Sequence, residues 1–124
     1  MDCIDNIPLP NGLTVEVYDL SRQIAANTTK VELLIRIEIK LNEAYFSNQE
    51  QYDLTRKVLG NELFFEYRME RTFVKNAEKD IILRELLAAF KKDSISYLSH
   101  PDFARRFVLS QYRKMNQRPG FTIH

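Results

Sequence analysis

The stretch from Val31 to Leu41 decides the fold of this chain. It reads Val-Glu-Leu-Leu-Ile-Arg-Ile-Glu-Ile-Lys-Leu. Every odd position is apolar, and every even position except Leu34 is charged. Because successive side chains of a strand point to opposite faces, this pattern predicts a long β-strand with one apolar face and one charged face. Such a strand needs neighbours for its backbone and a cover for its apolar face.

The neighbour that precedes this strand is predicted over residues 13–20. Leu13, Val15 and Val17 alternate there with polar residues. A connection with Asn27 as its best turn residue then leads into the long strand, predicted over 28–41. Two strands joined by a short loop form an antiparallel pair.

A third long strand is predicted over 63–74. Leu63, Phe65, Tyr67, Met69 and Phe73 share one parity, so we expect them to face inward. Charged residues of the other parity face those of the long strand, and opposite charges on neighbouring strands keep that face of the sheet solvated. The charged residues concerned are Glu66, Arg68 and Glu70 on this strand and Glu32, Arg36, Glu38 and Lys40 on the long one.

The helices are expected mainly after the strands. A short helix is predicted over 51–59, stopped by Gly60. Apolar residues at intervals of three and four predict a helix over 77–98 with Asn76 as its N-cap. Pro101 suits the first turn of a last helix over 101–115, with Ser99 or His100 as its cap.

These elements predict an α+β fold, in which C-terminal helices pack on one face of a twisted, mainly antiparallel sheet of three or more long strands. A length of 124 residues suits one domain over 1–124, with an extended lead-in over 1–12 and a loose tail over 116–124. A single cysteine, the lack of a signal-like N-terminus and the lack of a long apolar segment lead us to expect a cytoplasmic protein that does not enter the membrane.

The sequence contains no pattern that is typical of a catalytic or cofactor site. Its two histidines, His100 and His124, are far apart, and neither has the neighbours of a zinc site. His100 and Asp102 flank a proline at a helix start, where both have structural uses. Cys3 lies in the lead-in without a base, and the glycines are too isolated for a phosphate loop. We therefore expect no catalytic residue, metal or cofactor.

By elimination, the sequence favours a non-enzymatic domain that binds another protein or associates with itself through long strands and exposed edges. Two alternatives remain open. A pocket between sheet and helices would suit a small ligand or a substrate, and the basic last helix would suit nucleic acid or an acidic partner. The pocket would be lined by Phe65, Tyr67, Phe73, Phe90 and Phe107. The helix would bind through Arg105, Arg106, Tyr112, Arg113 and Lys114.

Overall fold

A computed structural model describes residues 2–117 of the chain. Its described part contains a five-stranded antiparallel sheet and three α-helices, which confirms the predicted α+β fold. The elements in chain order are β1 (Asp2–Pro8), β2 (Thr14–Asp19), β3 (Arg22–Ala25), β4 (Thr28–Lys40), α1 (Gln49–Leu59), β5 (Glu62–Lys75), α2 (Lys79–Leu98) and α3 (Phe103–Asn116).

The chain divides into two compact units, and β4 and β5 contribute residues to both. The first unit comprises Met1–Ile37 and Phe65–His100, and the second comprises Glu38–Phe64 and Pro101–His124. The first unit contains all of β1, β2, β3 and α2, and the second contains α1 and α3.

In the first unit, β2 and β3 are two parts of one hairpin arm that pairs with β4. Asp19 lies opposite Leu33, and three residues further on Arg22 lies opposite Lys30, so the register does not change. Between them the Leu20 N–H donates to the Glu32 carbonyl over 2.9 Å. The segment that the sequence predicted as a connection is therefore largely a strand. The four residues of β3 are all exposed, so burial imposes no apolar pattern on them.

The lead-in over 1–12 is also more ordered than predicted. Residues Asp2–Pro8 form β1, which pairs antiparallel with β2 and places Ile7 opposite Val15. Most of this strand is exposed, which explains why its sequence lacks clear alternation. Gly12 then closes the turn with a φ of +88°, a conformation that glycine adopts without steric cost.

The core of the first unit lies on the odd-numbered face of β4. Val31 and Ile35 are fully buried there, as is Val17 of β2, which lies opposite Ile35. Asp5 lies opposite Val17 and therefore shares its face. The Lys91 ammonium of α2 is 3.1 Å from the Asp5 carboxylate, so α2 lies on this apolar face. The helix buries Leu86, Phe90 and Leu98.

The start of α2 differs from the prediction. Asn76 does not cap the helix but opens a short 3₁₀ turn over Asn76–Glu78. Its side-chain oxygen accepts a hydrogen bond from the Thr29 hydroxyl over 2.6 Å, so it ties the turn to β4. The predicted apolar stripe is narrower than expected, because Tyr97 is 65% exposed.

The second unit contains the two shorter helices. Asn48 caps α1 by accepting a hydrogen bond from the Gln51 N–H over 2.9 Å. The helix starts two residues before its predicted first residue and ends at Leu59 before Gly60, as predicted. The ring of Phe46 contacts that of Tyr52 edge to face, with centroids 5.9 Å apart.

The last helix, α3, begins at Phe103, and the residue before it is Asp102. The predicted cap at Ser99 or His100 is therefore wrong. The Ser99 hydroxyl donates instead to the Ile95 carbonyl over 2.7 Å, at the end of α2. The helix continues to Asn116, so the predicted loose tail starts too early, and residues 118–124 of that tail lie outside the described residues.

Candidate protein-interaction surface

The strand β5 forms one edge of the sheet. Within residues 2–117, β4 is the strand with which it pairs. It is 14 residues long, whereas strands in globular proteins usually have about 5–6 residues. An edge strand presents a row of backbone N–H and C=O groups, to which another extended chain can bind.

The side chains of β5 are less buried than the alternation predicted. Leu63 is 9% exposed, but Tyr67 is 49% exposed and Phe73 is 81% exposed. The expectation that Tyr67 and Phe73 face the core is therefore wrong. The backbone explains Phe73, because it has a φ of +57° and the inward position passes to Val74, which is 8% exposed. Two consecutive apolar residues, Phe73 and Val74, are the sequence signal for this shift of parity.

The positive φ of Phe73 is unusual. Among the residues that the structure describes, Phe73 is the one residue other than glycine with a positive φ. A bulky side chain in this conformation costs about 1–3 kcal/mol. Its ring gains little from burial in the isolated chain, since most of it lies in solvent.

A buried carboxylate lies at the centre of the charged face of the sheet. Glu32 of β4 is 5% exposed. Its carboxylate accepts a hydrogen bond from the Arg68 guanidinium over 2.8 Å and lies 3.6 Å from the Lys30 ammonium. The hydrogen bond from Arg68 is the main reason why the pKa of Glu32 is lowered, against the opposing effect of burial. We expect this carboxylate to stay ionised at neutral pH.

Further ion pairs connect β4 and β5 on the same face. The Lys30 ammonium lies 3.0 Å from Glu70, and Arg36 lies 3.9 Å from Glu66. These contacts agree with the predicted alternation of charges across the two strands. The side chains of Arg68 and Glu70 remain 59% and 52% exposed, so each keeps free surface for a further charged partner.

The predicted basic surface lies on α3. Arg105, Arg106, Arg113 and Lys114 are exposed, whereas Tyr112 is half-buried. The Tyr112 ring contacts Phe46 edge to face, with centroids 6.0 Å apart. The Arg105 guanidinium lies 3.0 Å from the Asp102 carboxylate, so one of the four charges has an acidic partner within the helix start.

The aromatic residues predicted to line a pocket have different environments. Phe90 is 2% exposed, and Phe107 stacks on Phe103 with centroids 6.2 Å apart. A cleft of about 180 Å³ is present, and none of the predicted aromatic residues is among the residues that line it. Its lining is polar: Ser21, Arg22, Gln23, Thr29, Asn76 and Lys79.

The remaining candidate groups are dispersed. His100 accepts a hydrogen bond at its backbone carbonyl from the Asn11 amide over 3.0 Å, and Cys3 is an exposed free thiol. Within residues 2–117, no three His, Cys, Asp or Glu side chains lie close enough together to hold a metal ion. In the same part of the chain, none of the helices has the length and apolar character needed to cross a bilayer.

Comparison of the chain with protein-family models, curated proteins and solved structures found no match in any of the three.

Proposed function

We propose that this protein is a non-enzymatic interaction module that binds an extended polypeptide, its own or another, along the open edge of β5. The observation that carries the proposal is Phe73, which is 81% exposed at a positive φ on this edge strand. The conformation is costly and the ring is not buried, so both features disfavour the isolated chain. A partner that covers the ring recovers free energy.

Two kinds of contact support binding at this place. Within residues 2–117, β5 pairs with β4 along one side, and the backbone of its other side offers hydrogen bonds that do not depend on the partner's sequence. The exposed side chains of Tyr67 and Phe73 add aromatic contacts, and aromatic residues are enriched at protein interfaces. The charged side chains of Arg68 and Glu70 provide a polar rim.

The test uses peptides selected from a random library against the immobilised full chain. Bound peptides are expected to slow amide hydrogen exchange over residues 66–72. Phe73→Asn removes the ring and suits a positive φ, because asparagine tolerates this region better than phenylalanine. We therefore expect F73N to weaken peptide binding about tenfold without loss of stability in urea unfolding.

The matched control is Tyr97→Asn, which removes an aromatic ring that is 65% exposed on α2. This variant is expected to bind the selected peptides as the wild type does. Unchanged binding by F73N, or exchange protection away from β5, would contradict the proposal. A clear loss of stability in F73N would show instead that the Phe73 ring supports the fold.

A further inference from the structure

We infer that the partner of β5 is a second copy of the same chain, paired with it antiparallel about a two-fold axis through Met69. The inference rests on the proposed function of the β5 edge and identifies the occupant. It follows from symmetry, from the order of charges along the strand and from the position of Phe73.

Symmetry limits how two copies of β5 can pair. A two-fold axis that relates two edge strands side by side is perpendicular to the sheet, so each face of one copy continues into the same face of the other. Residues directly opposite each other in an antiparallel pair share a face. Opposite residues must therefore both be odd-numbered or both be even-numbered. The axis then passes midway between one residue and the same residue of the second copy, and is named here after that residue.

The charges of β5 exclude most of these axes. An axis through Glu66, Arg68, Glu70 or Arg71 places a charged residue opposite its own copy. Like charges directly opposite each other destabilise the pairing. Within this central part of the strand, the axes through Tyr67 and Met69 remain.

The axis through Met69 gives the better set of neighbours. It places Arg68 opposite Glu70 of the second copy, and symmetry repeats this pair. It also places Tyr67 opposite Arg71 of the second copy, at a separation that suits a cation–π contact. The axis through Tyr67 also pairs Arg68 with an acidic residue, Glu66 of the second copy, but it places Arg71 opposite Leu63 and Glu70 opposite Phe64, where neither charge has a complementary group.

The backbone supports the same centre. The positive φ at Phe73 interrupts regular strand geometry, so regular pairing ends at Thr72. Under the two-fold axis the equivalent limit on the other side is Glu66, and the segment from 66 to 72 is centred on Met69. Phe73 then lies beside Phe65 of the second copy at each end.

The existing contacts leave room for the second copy. Arg68 bonds to Glu32 yet is 59% exposed, so Glu70 of the second copy can join it as a second carboxylate. In the isolated chain the Arg71 guanidinium donates to the Glu70 carbonyl over 3.0 Å. On pairing, Arg71 exchanges this contact for the Tyr67 ring of the second copy. The interface is short, so we expect a dissociation constant in the micromolar range.

Cysteine cross-linking tests the axis directly. In a Cys3→Ser background, Met69→Cys places two thiols opposite each other on the axis. The Cα atoms of such pairs are about 4.5–5.5 Å apart, which suits a disulfide. Mild oxidation at micromolar concentration is expected to convert most of this variant to covalent dimer. Tyr67→Cys alone should remain monomeric, and its mixture with Arg71→Cys should form a heterodimer.

A charge pair at Thr72 tests the register without disturbing the ion pairs of β4. Thr72 is exposed and lies opposite Glu66 of the second copy. Thr72→Lys adds an attraction twice per dimer and Thr72→Glu adds a repulsion twice. Sedimentation should show the dissociation constant lowered by T72K and raised by T72E, each about 2- to 30-fold.

The outcomes separate the two proposals. A chain that stays monomeric at all concentrations but binds the selected peptides at 66–72 overturns the second copy and leaves the proposed function standing. A chain that neither dimerises nor binds peptides overturns both. Cross-linking through Tyr67→Cys alone, or equal effects of T72K and T72E, overturns the axis through Met69.

Discussion

The two faces of β4 are buried over different lengths and by different means. On the odd face, Ile35 is fully buried on the side where α2 lies. On the even face, Glu32 and Leu34 are 5% and 1% exposed. A neighbour of Glu32 there is the long side chain of Arg68, whose stem can cover apolar surface while its charge stays in water. Burial at Glu32 therefore depends on charged partners as well as on cover from solvent.

The largest expected effect comes from opening a cavity on the odd face. Ile35→Ala removes buried methyl groups from a packed environment and should lower the free energy of unfolding by about 2–5 kcal/mol. Leu34→Ala is the matched change on the even face, where flexible side chains and water can fill the space. We expect it to cost about half as much. Urea unfolding measures both, and a larger cost for L34A than for I35A would contradict this comparison.

The odd face is also what the sequence predicted best. Alternation from Val31 to Leu41, broken at Leu34, identified β4, because a central strand with one apolar buried face tolerates few exceptions on that face. Apolar residues at intervals of three and four identified α2, because the side of this helix that is buried also requires apolar residues. Where burial is slight, as in β1 and β3, alternation carries little information, and both strands escaped prediction.

The candidate surface was predicted in part. The opposed charges on β4 and β5 followed from parity and form the observed ion pairs. The burial of Glu32 could not be predicted from the alternation, because burial under long side chains depends on the conformations of those side chains. Phe73 was assigned to the core, since alternation alone cannot show that a positive φ turns a ring outward. Whether the basic residues of α3 bind a partner stays a prediction.

The next effect concerns the buried carboxylate of the even face. Glu32→Gln removes the charged partner of Arg68 and should cost about 1–3 kcal/mol at pH 7. Because the folded pKa of Glu32 is lowered below its ordinary value of 4.5, the ionised form contributes stability above that pH. This contribution is lost as the pH falls through the folded pKa. The difference in the free energy of unfolding between wild type and E32Q should therefore be constant near pH 7 and become smaller below about pH 4.5.

An exposed carboxylate on the same face provides the control. Glu66 is 48% exposed at its side chain and lies 3.9 Å from Arg36, so Glu66→Gln should change stability by no more than about 0.5 kcal/mol. Urea unfolding at a series of pH values gives the comparison. A difference between wild type and E32Q that grows on acidification would show that Glu32 is destabilised by its burial and not stabilised by Arg68.

The smallest effect is expected at the rim of the even face, where solvent reaches the ion pair of Lys30 and Glu70. Their side chains are 21% and 52% exposed and the charged atoms are 3.0 Å apart. A double-mutant cycle with Lys30→Met and Glu70→Gln, measured below the concentration at which copies would associate, should give a coupling free energy under about 1 kcal/mol. Salt should reduce it further. A larger coupling free energy that salt does not reduce would contradict this expectation. It would show that Lys30 and Glu70 are shielded from solvent as the residues of the odd face are.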